Sequence, residues 1–280
     1  MQTRKDILQY WEDKFLHRGL DSPRLSAQVL LAHVLNLPRL EMLLSIGDTV
    51  DAQSVMDMET LASRRISGEP VAYLVGSKEF YGFEFHVNPA VLIPRPETEL
   101  MIDFLLATQD QNGQKTVLDI GTGSGTIAVS CAKLFPYFDL VASDISFEAL
   151  KIAKENARIH GVQDKIAFFQ GHLIEALRIR RFDIILANLP YVPATSRSSL
   201  SLEVLEHEPE IALFAGPDGL DCYRALATDL RNSVEPGAIL LCEIDGSQGE
   251  AMQDIFSFCA GGVRVVQDYS GHDRVVVVVF

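Results

Sequence analysis

With 280 residues, 48% of them hydrophobic and 22% charged, the chain has a globular composition and room for one large domain or a large and a small one. The apolar run Val275–Phe280 spans six residues against the roughly 18 of a membrane helix, and the polar start Met1-Gln2-Thr3-Arg4-Lys5-Asp6 lacks the apolar core of a secretion signal. The formal net charge is −14, with −2 over residues 1–75 and −12 over residues 76–280, which argues against free duplex DNA as a substrate. Cys131, Cys222, Cys242 and Cys259 lie far apart in apolar stretches without a C-x-x-C pair, so buried reduced thiols, no metal and a cytoplasmic location are expected. The basic group Arg178, Arg180 and Arg181 reads as a solvated face.

Residues 1–74 predict a small helical bundle. Asp21-Ser22-Pro23 is a helix start, with Ser22 as the cap and Pro23 at the first helical position. Ala27, Leu30, Leu31, Val34 and Leu35 then recur at helical spacing, and residues 5–19 and 51–66 are similarly amphipathic, bounded by Gly19 and Gly68. Residues 76–93 alternate aromatic and polar residues around Gly82 and predict a β-hairpin. With Pro89, Pro94 and Pro96, residues 75–96 read as a connector leading to a helix from about Glu97. The Pro94–Glu99 segment serves equally as a stiff connector or as a wall of a site, and no catalytic role is assigned to it.

Residues 97–280 read as one α/β domain, with strand–helix alternation from about residue 115. Strands are predicted at Thr116–Ile120, Leu140–Ser143, Ile166–Phe169, Asp183–Ala187 and Ala238–Ile244, with helices near 125–135, 147–160 and 219–233. Such alternation implies a doubly wound, mostly parallel sheet covered on both faces. Val263–Gln267 and Arg274–Val279 flank a turn-rich segment and predict a C-terminal hairpin, hence an antiparallel last strand. No internal repeat or low-complexity segment interrupts the chain.

Two motifs carry chemistry. In Asp119-Ile120-Gly121-Thr122-Gly123-Ser124-Gly125 a strand enters a glycine-rich turn that opens a helix, where the backbone can approach a ligand closely. The third glycine falls one place too early for the dinucleotide fingerprint, and Asp119 suits a cationic group such as an amino-acid ammonium better than a pyrophosphate. This D-x-G-x-G-x-G pattern resembles the cofactor loop of class I S-adenosylmethionine methyltransferases. Asp144 ends the next strand 19 residues after Gly125, where an acid can accept from ribose hydroxyls; capping the following helix falls better to Ser146. His172, after the third strand, is a candidate contact for an adenine.

The second motif is Asn188-Leu189-Pro190-Tyr191, at the end of the apolar strand Asp183–Ala187 and 63 residues after Gly125. The lone pair of an amide or aromatic amine nitrogen is delocalised, so the nitrogen is a poor nucleophile. Accepting its two N–H hydrogens, one on the Asn188 side-chain oxygen and one on the carbonyl of residue 189, draws it toward tetrahedral geometry and aims the lone pair. Pro190 stiffens the turn, and Tyr191 packs on or orients the planar group. No general base is needed, because the cationic product can lose its proton to water.

The tetrad resembles the N-P-P-Y motif of nitrogen methyltransferases, and nearly the whole chain resembles the bacterial peptide chain release factor N5-glutamine methyltransferases. The stretches that carry this are Glu79–Gly82, Val91–Glu99, Asp119–Gly125, Glu208-Pro209 with Ala212-Leu213, and Gly216–Asp221. The resemblance implies a class I methyltransferase fold, with residues 1–74 recognising substrate and residues 97–280 holding S-adenosylmethionine, released as S-adenosylhomocysteine. It implies that the partners are class 1 release factors, methylated on the glutamine of their Gly-Gly-Gln loop, with a monomeric enzyme and no direct nucleic-acid or membrane target. It assigns the cofactor to Asp119, Gly121, Thr122, Gly123, Ser124, Gly125, Asp144, His172 and Asn188, and the glutamine to Asn188–Tyr191, with Asn188, Pro190 and Tyr191 catalytic. Leu189 departs from the family's usual proline; a leucine still offers its carbonyl but gives up the fixed φ. A glutamine methyltransferase of a ribosomal protein shares both motifs, with the N-terminal domain and the hairpin against it, and the tetrad recurs in a second alternative, an adenine-N6 nucleic-acid methyltransferase, whose target amine is also planar. The acidic charge speaks against the second, and the tetrad speaks against a non-catalytic nucleoside-binding module.

Overall fold

At the N-terminus, Thr3 and Asp6 close a reciprocal capping box, and the first helix runs Arg4–His17. The computed structural model describes residues 2–175, 181–231 and 234–280. It divides into two units, Met1–Ser77 with Ser201–His207, and Lys78–Leu200 with Glu208–Phe280. In the first unit, helices Arg4–His17, Pro23–Val34, Arg39–Leu44, Ala52–Ile66 and Val71–Val75 enclose a core that includes Trp11, Phe15, Leu30, Leu31, Met42 and Met58. Arg65 is buried there and pairs with Glu203 at 2.6 Å. Pro23 does open its helix, but Ser22 is left-handed, with φ 48°, and its side chain makes no capping bond. Helices Arg39–Leu44 and Val71–Val75 are too short to leave a periodic signal, so sequence spacing does not reveal them.

The chain then forms a hairpin, β1 (Ser77–Phe80) and β2 (Phe83–His86), turning at Tyr81 and Gly82 with positive φ at both. A single turn at Pro96–Thr98 leads into helix Glu99–Thr108. There follow β3 (Lys115–Ile120), β4 (Phe138–Asp144), β5 (Ile166–Gln170), β6 (Ile184–Ala187), β7 (Ile239–Glu243), β8 (Val263–Gln267) and β9 (Asp273–Val279). They pair in the order β5-β4-β3-β6-β7-β9-β8, parallel from β5 to β7 and antiparallel at β7/β9 and β9/β8. The expected mostly parallel sheet with an antiparallel end is therefore present.

Alternation along the strands builds two cores, one on each face. Val117, Leu186, Leu241, Val275 and Val277 join Phe80, Phe85, Met101 and Phe135 in one. Leu118, Ile185, Leu240, Val276 and Val278 join Tyr223, Leu226, Met252 and Phe256 in the other. Helices Thr126–Leu134 and Phe147–Ile159 connect the first strands, and Ser146 caps the second of these through the Ala149 N–H. The helix expected at 219–233 is found at Asp221–Leu230, and residues 232–233 lie outside the described residues. Arg178 and Arg180 also lie outside them; Arg181 is exposed and pairs with Glu235 at 3.3 Å.

One buried polar side chain, on helix Phe147–Ile159, ties the hairpin to the glycine loop. Asn156, fully buried, accepts from the His86 N–H at 2.8 Å and donates to the His86 and Ser124 carbonyls at 2.9 and 2.8 Å. Asn156→Leu keeps the volume but strands three backbone groups. It is expected to cost about 2–4 kcal/mol, read as a lowered midpoint in urea unfolding.

Candidate active site

β3 continues through β4 to β5 on one side, and the chain then returns to place β6 on the other side of β3. That reversal is where open α/β sheets bind ligands, outside the strand carboxyl ends. The pairing Ile120↔Ala187 sets Gly121 and Asn188 next to each other just beyond it. A cavity of about 270 Å³ opens there, with walls from the glycine loop, Asp144–Ser146, Gly171–Leu173, Asn188–Pro190, Pro94, Arg95, Thr98 and Phe214.

The loop is anchored by the Gly121 and Thr122 N–H groups, both donating to the Ser143 carbonyl at 2.9 Å. Gly121 has φ +71°, and a Cβ there would sit 3.1 Å from Leu189 Cδ2; at Gly125, φ +83°, a Cβ would meet Ala153 at 3.1 Å. Glycine thus lets the loop pass the tetrad on one side and the next helix on the other. Asp119 lies behind the loop, not on the cavity wall. Fully buried, it accepts from the Thr122 hydroxyl at 2.6 Å and the Ala128 N–H at 3.2 Å through Oδ2, while Oδ1 has no partner. Burial pushes its carboxyl up to about 7, against the pull of the Thr122 and Ala128 bonds.

Asp144 stands on the wall at the end of β4. It accepts from the Gly123 N–H at 2.9 Å and the Ser146 N–H at 2.8 Å, which uses two of about four lone-pair sites and leaves others for hydroxyl donors. Burial raises its pKa, opposed by bonds from the Ser146, Gly123 and Ile145 backbone. Apolar Ile145 and Leu173 line the cavity near it, and His172 is exposed at the rim, 3.4 Å from Glu175. A carboxylate with free lone pairs, an apolar slot and a glycine loop fit a nucleoside bearing an amino-acid tail.

In the tetrad, Asn188 Nδ2 donates to Thr98 Oγ1 at 3.1 Å, and the Tyr191 hydroxyl donates to Glu243 at 3.1 Å. The Tyr191 carbonyl accepts from Gln248 at 2.9 Å, which fixes the strand exit. Leu189 is buried and Pro190 lines the cavity. Three residues without a sequence assignment complete the site. Thr98 lines the cavity and donates to Glu243 at 2.5 Å. Glu243 is buried at the end of β7; burial raises its pKa, against the bonds from Thr98 and Tyr191. Tyr223, also buried, donates to the Glu243 carbonyl. The available signal was an acid inside the apolar run Ile239–Ile244, since an ionisable residue there must find partners. Thr98 falls in the Pro94–Glu99 segment, read from the sequence equally as a connector or a site wall, and it lines the cavity with Pro94 and Arg95; Tyr223 gave no signal. The segment before Thr98 is held by buried Glu208, which bonds Arg95 at 2.5 Å and the Ile93 N–H at 3.1 Å. The four cysteines are free, and Cys222, half-buried, lines the cavity.

Residues 6–76 match the PrmC N-terminal domain family and residues 97–210 the Methyltransferase small domain family. The chain is 38% identical to a release factor glutamine methyltransferase of Moorella thermoacetica over 91% of each protein. It is 35% identical to a bifunctional methyltransferase of Rickettsia typhi over 97% of this chain but 56% of that protein, so it spans a little over half the length of that relative. A methyltransferase structure from Pyrococcus furiosus superposes with a TM-score of 0.53 at 16% identity, covering 79% of this chain and 98% of the other. The fold is that of the class I methyltransferases. Among the described residues no helix is long and apolar enough to cross a membrane.

The buried carboxyl of Asp119 makes stability depend on pH in a defined direction. Its folded pKa of about 7 lies above the ordinary 3.8, so the folded state holds the proton longer than the unfolded chain. Its destabilising effect therefore begins above the unfolded pKa, grows as pH rises, and is complete above the folded one. Asp119→Asn removes this: its gain over the unsubstituted protein is expected to be near zero at pH 4 and about 2–4 kcal/mol at pH 8 in paired denaturation curves.

Proposed function

The chain belongs to the release factor glutamine methyltransferase family, and we propose that it methylates the side-chain amide nitrogen (N5) of the glutamine in the Gly-Gly-Gln loop of class 1 peptide chain release factors. The methyl donor of the family is S-adenosylmethionine, which supplies an electrophilic methyl on a sulfonium. The observation that carries the reading is Asn188 on the cavity wall beside the glycine loop, its Nδ2 tied to Thr98 and its Oδ1 left as an acceptor.

In this reading Asp144 accepts from the ribose hydroxyls, and Gly121–Gly125 take the amino-acid tail by close backbone approach. Asp119 keeps the loop in shape through Thr122 and Ala128. His172 borders the adenine at the rim. Asn188 Oδ1 and the Leu189 carbonyl each accept one N–H of the substrate amide, which loosens its conjugation and aims its lone pair. Pro190 limits the motion of the turn, and Tyr191, anchored on Glu243, packs against the planar group. The methylated nitrogen gives up its proton to water. Residues 1–74 recognise the release factor, residues 75–96 connect, and the enzyme works as a cytoplasmic monomer.

Mass spectrometry of release-factor peptides after incubation with the enzyme and S-adenosylmethionine tests the assignment. One added methyl on the Gly-Gly-Gln glutamine is expected; labelling of a ribosomal protein alone would overturn it. Asn188→Ala is expected to lower turnover by about 10²-fold or more while cofactor affinity in calorimetry stays close to that of the unsubstituted enzyme. Asp144→Ala is expected to do the reverse, weakening chiefly cofactor binding.

A further inference from the structure

Glu243 is 1% exposed and follows Cys242, which pairs with Ala187 across β6/β7, so it stands beside Asn188 where the two strands end. Nothing in the methyl-transfer scheme requires an acid there, and an apolar residue would continue the strand. Its two oxygens are both engaged, Oε2 by the Thr98 hydroxyl at 2.5 Å and Oε1 by the Tyr191 hydroxyl at 3.1 Å. Both bonds run from a hydroxyl to Glu243, as they must while its carboxyl is ionised and can only accept, so each hydroxyl spends its single proton there. Thr98 Oγ1 is left with lone pairs alone, and Asn188 can meet it only with an N–H of its amide, as the 3.1 Å bond from Nδ2 has it. The inverted amide would set lone pair against lone pair in a buried place.

We propose that Glu243 and Thr98 are positioning residues that orient the Asn188 amide, holding its nitrogen on Thr98 and its oxygen free to accept from the substrate amide. The proposal rests on the reading of Asn188 given above. The direction of the chain holds while Glu243 is ionised and accepts only, since a neutral amide at 243 could present either end to Thr98. Tyr191, held by the other oxygen, is oriented by the same anchor. One carboxylate thus sets two of the four tetrad side chains. Each oxygen of the buried carboxyl is met by a hydroxyl donor.

Two readouts test this on the full chain. In protein labelled with ¹⁵N-asparagine, the Asn188 side-chain NH₂ resonances are expected to shift in Thr98→Val and to stay close to their original positions in Thr98→Ser. The volume-conserving Glu243→Gln is expected to broaden or double them. With a class 1 release factor as substrate, Thr98→Val is expected to lower kcat about tenfold, the rate equivalent of one hydrogen bond, with KM within about twofold. Thr98→Ser is expected to recover most of that loss. In an Asn188→Ala background Thr98→Val should cost nothing further, because its effect passes through Asn188. Additive losses in that double variant, or Asn188 resonances unmoved by Thr98→Val, overturn the relay. The resonances are read without substrate, so they decide it even if the unsubstituted enzyme leaves release factors unmethylated, an outcome that overturns the substrate assignment instead.

Discussion

The hydrogen-bonded register between β3 and β6, Val117↔Ile184 through Ile120↔Ala187, is the constraint on which the site depends. The two strands are far apart in sequence, and their parallel pairing brings the glycine loop and the tetrad out of the same edge side by side. A slip of one residue would exchange the faces of Ile185 and Leu186, which belong to opposite cores. The packing of both faces therefore protects the register, and the register fixes the distance from Gly121 to Asn188. Burial of side chains remote from the cavity is in this way what aligns the glycine loop with the tetrad.

Three carboxyl groups sit at or near the carboxyl ends of the parallel strands: Asp119 on β3, Asp144 on β4 and Glu243 on β7. Burial raises all three. They differ in what meets their oxygens. Asp119 is turned inward and holds the loop to the helix that follows it. Asp144 lies on the wall and keeps acceptor capacity beyond its two backbone donors. Glu243 is fully enclosed, and each of its oxygens meets a hydroxyl. The same residue chemistry thus divides into loop support, cavity wall and enclosed anchor according to donors and exposure. Desolvated acids of this kind are costly to the fold, and their concentration at one end of the sheet marks where stability has been traded for a site.

What could be read from the sequence is what is encoded locally. The strand-turn-helix of Asp119–Leu134, the acid closing β4 and the tetrad closing β6 are each contiguous, and their positions at strand ends follow from hydrophobic pattern alone. Thr98, Tyr223 and Glu243 are brought together from three distant segments, and only tertiary pairing creates the chain of hydroxyls around the acid. Helix Gly249–Ile255, seven residues long, falls below the length at which periodicity speaks. Ser22 shows the opposite failure: its residue type and neighbour fit a cap, yet capping requires extended backbone and Ser22 is left-handed. A local signal holds only while the backbone keeps the conformation the signal assumes.

Leu189 brings these strands of argument to one residue. A proline there would fix φ by its ring and offer no N–H. Leucine instead fills the space against the loop, its Cδ2 3.1 Å from where a Cβ on Gly121 would lie, so loop and tetrad brace each other by contact. Its backbone N–H also faces the buried Tyr223 hydroxyl: burial drives that group far up, and the Leu189 amide is what opposes the shift. Tyr223 in turn donates to the carbonyl of Glu243, the acid that anchors Thr98 and Tyr191. Rigidity supplied elsewhere by a ring is supplied here by packing and a hydrogen-bonded tyrosine. The carbonyl of residue 189 belongs to the backbone and is kept whichever way the turn is held.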